Sequence, residues 1–227
     1  MYEDEPAAQL SEAPERQVRL AARLEGEDFG RILSLSDGVF AFALTLLALT
    51  LIVPVNSFAS GTPGSVESSY LAHQLQTEFE SFLGYAFAFV MIGVWWVIHN
   101  RTFRYIVRYD QTLVWLNMAV LMEVAVTPFV MGVFSTWSGT QVAVALFAAI
   151  QIALGLTNTL LWDYARGHQL VKPSVPAAVA VYFSRRGYLT SAVFAVSIGV
   201  SFVSVTGAEL TWLGTFVLQR FLSAQAS

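Results

Sequence analysis

Arg31-Ile32-Leu33-Ser34-Leu35-Ser36-Asp37-Gly38-Val39-Phe40-Ala41-Phe42-Ala43-Leu44-Thr45-Leu46-Leu47 carries an arginine, two serines and an aspartate into an apolar run that continues to Val55. A helix needs about 20 mostly apolar residues to cross the hydrocarbon core of a bilayer, and the stretch 29–55 supplies them. Ionisable groups at the mouth of such a span are expensive in lipid and are usually paired or functional. Arg31 and Asp37 are six residues apart, on different faces of one helix, so they do not pair within it. Each needs partners on other helices. The plainer alternative is interfacial anchoring, with Arg31 reaching the headgroups and Ser36-Asp37 capping a helix. For Asp37, followed at once by Gly38-Val39-Phe40-Ala41, a structural polar network is the better reading.

Working outward, the rest of the chain keeps the same character. Its 227 residues are 56% hydrophobic and only 12% charged, with a mean hydropathy of +0.59. Soluble domains carry about twice that charge. The net charge of −4 offers no basic stripe for a nucleic acid, and the absence of cysteine excludes disulfides and cysteine zinc sites. Further spans are expected at 79–98, 111–134 (broken near its outer end by Pro128), 140–161, 188–205 and 210–222. The last is short for a span. The fold class is therefore all-α, a membrane protein with six transmembrane helices per chain.

Charge placement tests that count independently. All 12 Lys and Arg residues fall in the first tail, at the mouth of the first span (Arg31), in the second-to-third connection, in the fourth-to-fifth connection or at the last helix end. The outer connections 56–78, 135–139 and 206–209 hold none. Cytoplasmic segments carry the basic excess, so both termini are placed in the cytoplasm of a multi-pass cell-membrane protein. The expected domains are a cytoplasmic tail at 1–28, a membrane domain at 29–222 and a short tail at 223–227. The first tail is acidic and Pro/Ala-rich, with a short polar helix expected at 15–25. Residues 57–69, rich in Gly, Ser and Pro, read as a flexible outer cap.

Phe42, Leu46 and Leu49 follow at i, i+4 and i+7, with Thr45 beside them, and form one stripe on the first span. Periodicity alone makes such a stripe a lipid-facing or packing surface as readily as a pore. Trp95-Trp96 read as an interfacial belt and His99 as a structural residue. His73 and His168 lie in other segments, so no metal cluster assembles and no cofactor is called for. Asn117 lies two turns into the third span. Glu123 is deeper and is matched in depth by Gln151 on the fourth, its expected partner. Phosphate loops, paired zinc histidines, nucleophile elbows and a Thr-Val-Gly-Tyr-Gly carbonyl filter are all missing, which argues against an enzyme and against a conventional potassium filter.

The stretch from Arg31 to Leu47 resembles the signature of the transmembrane protein 175 family of potassium channels: Arg-x-x-x-Phe-Ser-Asp, then Gly-Val-Phe-Ala-Ile-Ala-x-Thr-Leu-Leu. Trp95-Trp96-x-x-His99 with Phe103, then Asn117 and Thr127-Pro128-Phe129, resemble the next two spans. The resemblance implies a potassium-selective, weakly discriminating cation channel. Four chains would surround a pore built from the first helix around a central axis. The aliphatic constriction would fall on Phe42, Leu46 and Leu49, the selectivity-linked threonine on Thr45, and the polar network on Arg31, Ser36, Asp37, His99 and Asn117. The implied partners are potassium ions, further copies of the chain and membrane lipid. Leu35 replaces the signature Phe, and Phe42 replaces an aliphatic residue at the innermost ring. A secondary transporter is the alternative, but no second copy of the Ser-Asp-Gly signature appears among the last three spans. An accessory membrane protein is the other.

Overall fold

The structure is a computed structural model that describes residues 29–51, 53–137 and 139–226. The expected tail at 1–28, with its polar helix at 15–25, lies outside the described residues. Seven helices are present among those described: α1 (Phe29–Thr50, closing in a 3-10 turn at Ala48–Thr50), α2 (Gly64–Thr77), α3 (Phe79–Phe103), α4 (Gln111–Thr136), α5 (Gln141–Gly167), α6 (Ala177–Ser201) and α7 (Val205–Ala226). Long helices follow from the composition, because backbone groups without water must bond within their own segment.

Four of them are long and apolar enough to cross a membrane: Phe29–Thr50, Ser81–Phe103, Gln111–Thr136 and Gln141–Gly167. The spans expected at 188–205 and 210–222 fall on α6 and α7. The sixth helix starts eleven residues earlier than expected, taking Arg185 and Arg186 into the helix, and the seventh runs through 223–226. Two expectations are corrected. Residues 64–69 are not loop but the start of α2, whose Glu, Leu, Ala and Gln residues favour a helix. Pro128 does not break α4, which continues to Thr136. Immediately before it, the Thr127 hydroxyl donates to the Glu123 carbonyl one turn back (2.9 Å), supplementing the ladder that the proline interrupts.

The chain divides into two units, Met1–Gly38 and Val39–Ser227. In the first, the described turns carry hydroxyl-to-carbonyl bonds from Ser34 to Gly30 (2.9 Å) and from Ser36 to Ile32 (3.0 Å). In the second, α5 lies against α4, α6 and α7, α6 lies against α7, and α3 lies mainly against α4. Side-chain oxygens start two of these helices: Asp110 Oδ1 accepts from the Leu113 N–H (2.8 Å) and Thr140 Oγ1 from the Ala143 N–H (3.4 Å).

Small residues set the α5–α6 crossing. A Cβ on Gly187 would collide with the Thr159 hydroxyl, and one on Gly155 with the Ser191 hydroxyl. Gly155/Thr159 and Gly187/Ser191 are each one turn apart, the small-xxx-small pattern that lets membrane helices approach closely. Toward one end of this bundle Phe147, fully buried, stacks with Phe134 and Trp212 at centroid separations of 5.2 and 4.5 Å.

Candidate functional site

The second unit gives α1 two unlike faces. Phe40, Ala43 and Leu47, spaced i, i+3 and i+7, are each 1% exposed and pack into the chain's own core. Phe42 is 64% and Leu49 79% exposed, Thr45 is exposed and Leu46 half-buried. The stripe singled out in the sequence is therefore the face that this chain does not cover itself. Thr45 donates its hydroxyl proton to the Phe42 carbonyl (2.8 Å), which leaves the oxygen lone pairs as acceptors on that uncovered face.

Behind the packed face stands His99. Its ring lies between those of Phe40 and Phe103, with centroids 5.4 and 4.5 Å away. Its Nε2 is 2.8 Å from Asn117 Oδ1, and both residues are buried. With the amide oxygen as acceptor, Nε2 carries the proton and donates. The bond ties α3 to α4, and Phe40 docks α1 against the same ring. His99 and Asn117, two of the five expected network residues, are thus brought together. Arg31, Ser36 and Asp37 belong to the first unit.

Two expectations about buried polar groups are overturned. Glu123 does not meet Gln151. Its Oε1 accepts from the Thr157 hydroxyl (2.7 Å), while Gln151 Oε1 accepts from Trp95 Nε1 (2.7 Å). Equal depth on two helices does not imply facing sides. Six residues on a helix turn through about 600°, so Gln151 and Thr157 point in different directions from α5. Trp95 accordingly is no belt residue: it is 6% exposed, whereas Trp96 is 39% exposed. The Trp95–Gln151 pair was missed because a Trp-Trp dipeptide at a span end looks like a belt. The four-residue step from Trp95 to His99, which puts both on one face, was the available signal.

Among the described residues no group of three or more His, Cys, Asp or Glu side chains is placed to hold a metal. An uncovered apolar helix face, backed by a rigid polar pair, is suited to permeation or assembly rather than to bond chemistry.

The family described as "Endosomal/lysosomal potassium channel TMEM175" matches residues 31–128. A potassium channel of Streptomyces collinus is 34% identical over 180 residues, covering 77% of this chain and 83% of that protein. The chain belongs to the TMEM175 family. This is a family of membrane channels, not of enzymes. A potassium channel of Chamaesiphon minutus is 29% identical over 210 residues, covering 89% of this chain and 97% of the relative. The crystal structure of a lysosomal potassium-selective TMEM175 homologue from that organism superposes with a TM-score of 0.67 at 26% identity, covering 88% of this chain and 99% of that one. The rat endosomal/lysosomal proton channel TMEM175 is 26% identical over 160 residues, which is 70% of this chain but 30% of that protein. The TMEM175 match begins at Arg31 and ends at Pro128, the same stretch that carries the uncovered stripe and the His99–Asn117 pair.

Proposed function

We propose that this TMEM175 member is a potassium-selective, weakly discriminating cation channel with a hydrophobic constriction on α1 and no carbonyl filter. One observation carries the reading: α1 packs Phe40, Ala43 and Leu47 inward and leaves Phe42, Thr45 and Leu49 uncovered by its own chain, with Leu46 half-buried between them. The potassium-channel relatives and the potassium-selective homologue support the choice of ion. In this reading four copies bring their α1 helices around one axis, six helices per chain cross the cell membrane and both termini are cytoplasmic. Residues 1–28 and 223–227 are the tails, and 29–222 the channel domain.

The mechanism follows from hydration. Apolar rings give a dehydrating ion nothing, so a narrow ring empties of water and blocks conduction. Widening it lets a partly hydrated ion pass, and potassium sheds water more cheaply than sodium. Thr45 oxygens, with their protons already donated to the helix, replace part of the lost shell. Phe42 forms the tightest ring. Arg31, Ser36 and Asp37, with the His99–Asn117 pair, anchor the cytoplasmic end of α1.

Bilayer recording under a potassium/sodium gradient tests this. Phe42→Ala is expected to raise current and lower discrimination against sodium. The chain has no cysteine to mask, so single cysteines at 42, 46 and 49 are expected to be blocked by thiol reagents, and those at 43 and 47 not. Block at 43 and 47 alone would remove the pore assignment, and saturable gradient-coupled flux without single-channel steps would favour a transporter.

A further inference from the structure

Two connections between helices meet in a small built feature. The α3–α4 connection and the α5–α6 connection pair as an isolated antiparallel bridge, Ile106 with Val171. The Val107 N–H donates to the Leu170 carbonyl (2.9 Å) and the Lys172 N–H to the Tyr105 carbonyl (2.9 Å). Gln169 stands in the left-handed region at φ 57°, the cap position after a helix that glycine or asparagine usually fills. That backbone turn aims the Gln169 carbonyl at Arg108, whose Nη2 donates to it (2.8 Å).

The result is a cavity of about 360 Å³ with Arg108, Arg166 and Lys172 among its lining residues and no acidic residue among them. Three cations, from the α3–α4 connection, the end of α5 and the α5–α6 connection, thus line one concavity. Arg166 is partly compensated by Asp163 at 3.7 Å. Arg108 and Lys172 have no carboxylate partner among the described residues, and Arg108 has spent one of its five donors on Gln169. Like charges fixed together repel, and the arrangement is relieved by an anion with several acceptor oxygens. Pro173, Val175 and Ala180 supply an apolar wall. Basic pockets at the ends of membrane helices, beside an anionic leaflet, are suited to lipid headgroups.

We propose that this cavity binds the phosphate of an anionic phospholipid headgroup, with Arg108 and Lys172 as its principal donors and Arg166 as a third. Binding there would clamp the ends of α3 and α5 together. The test is independent of pore activity and of membrane orientation, because it uses the purified full chain in detergent.

The test is native mass spectrometry and thermal unfolding with phosphatidylglycerol, phosphatidylcholine or inorganic phosphate added. Phosphatidylglycerol is expected to be retained and to raise the melting temperature, with phosphatidylcholine and inorganic phosphate doing neither. Arg108→Gln with Lys172→Gln should weaken retention by roughly tenfold. Arg101→Gln with Arg104→Gln removes the same charge outside the cavity and should leave it unchanged. Lys172→Gln alone, whose side chain makes no hydrogen bond among the described residues, should show a smaller loss in a normally folded protein. Equal loss in both double variants would mean diffuse surface attraction and overturn the site. Protection by inorganic phosphate equal to that by phosphatidylglycerol would overturn the lipid as its occupant.

Discussion

Asn117 shows what one side chain does inside this bundle. Its Oδ1 accepts a hydrogen bond from His99 Nε2 at 2.8 Å between two helices, and both side chains are buried. Asn117→Leu strands that donor, and a buried polar group without a partner costs about 1–3 kcal/mol. The melting temperature of the purified protein should fall accordingly, whereas Thr136→Val, at an exposed residue, should leave it nearly unchanged. Asp110 is a second residue with a definite test. Its carboxyl lies below the usual aspartate range: burial pushes it up, but the Leu113 N–H, the Tyr164 hydroxyl, nearby His168 and the Thr112 N–H outweigh that. A depressed carboxylate stabilises the fold above its unfolded value of about 3.9 and loses that contribution as pH falls through the lower folded value. Asp110→Ala should lower stability at pH 7 by about 1 kcal/mol, the worth of a helix cap. As pH falls below the ordinary aspartate range the gap between variant and parent should narrow, as read from unfolding curves across pH.

At the scale of elements, the α5–α6 crossing is where side-chain size matters most. Gly187 faces Thr159 and the Gly155 carbonyl so closely that an added Cβ displaces one helix. Gly187→Val should therefore destabilise by several kcal/mol, since overpacking of about 1–3 kcal/mol is compounded by backbone that cannot move aside. Gly199, on the same helix, meets nothing within 4 Å. Gly199→Ala should be neutral or raise stability by up to about 1 kcal/mol. Thermal unfolding of the two variants side by side checks the contrast; equal losses would mean that glycine content, not the crossing, sets the packing. Hydropathy pointed to the glycine-bearing helices without marking the crossing, because close approach depends on which faces meet.

For the whole molecule, six crossings require both termini on one side of the bilayer. In sealed right-side-out vesicles, tags at either terminus should be protected from protease, and a tag inserted between 57 and 63 should be cut. A protected N-terminal tag with an accessible C-terminal one would mean an odd number of crossings. The seventh helix would then be the one lying outside the bilayer, since its 22 residues include both Glu209 and Arg220. A mass of four chains in detergent would match the proposed assembly around α1.

Class and first helix were legible from residues alone. Hydropathy sums over a span whatever its neighbours are, and the run from Arg31 to Leu47 is long enough to identify its family. The two faces of α1 were half legible: the i, i+4, i+7 spacing of Phe42, Leu46 and Leu49 defines a face, but only packing of Phe40, Ala43 and Leu47 says which side is covered. Partner choice was not legible. Gln151 met Trp95 and Glu123 met Thr157 because helix rotation about its axis is set by packing against neighbours, which sequence position and depth leave undetermined. The basic cavity likewise exists only because two connections more than sixty residues apart pair backbone to backbone, Ile106 with Val171, and no local pattern encodes such a meeting.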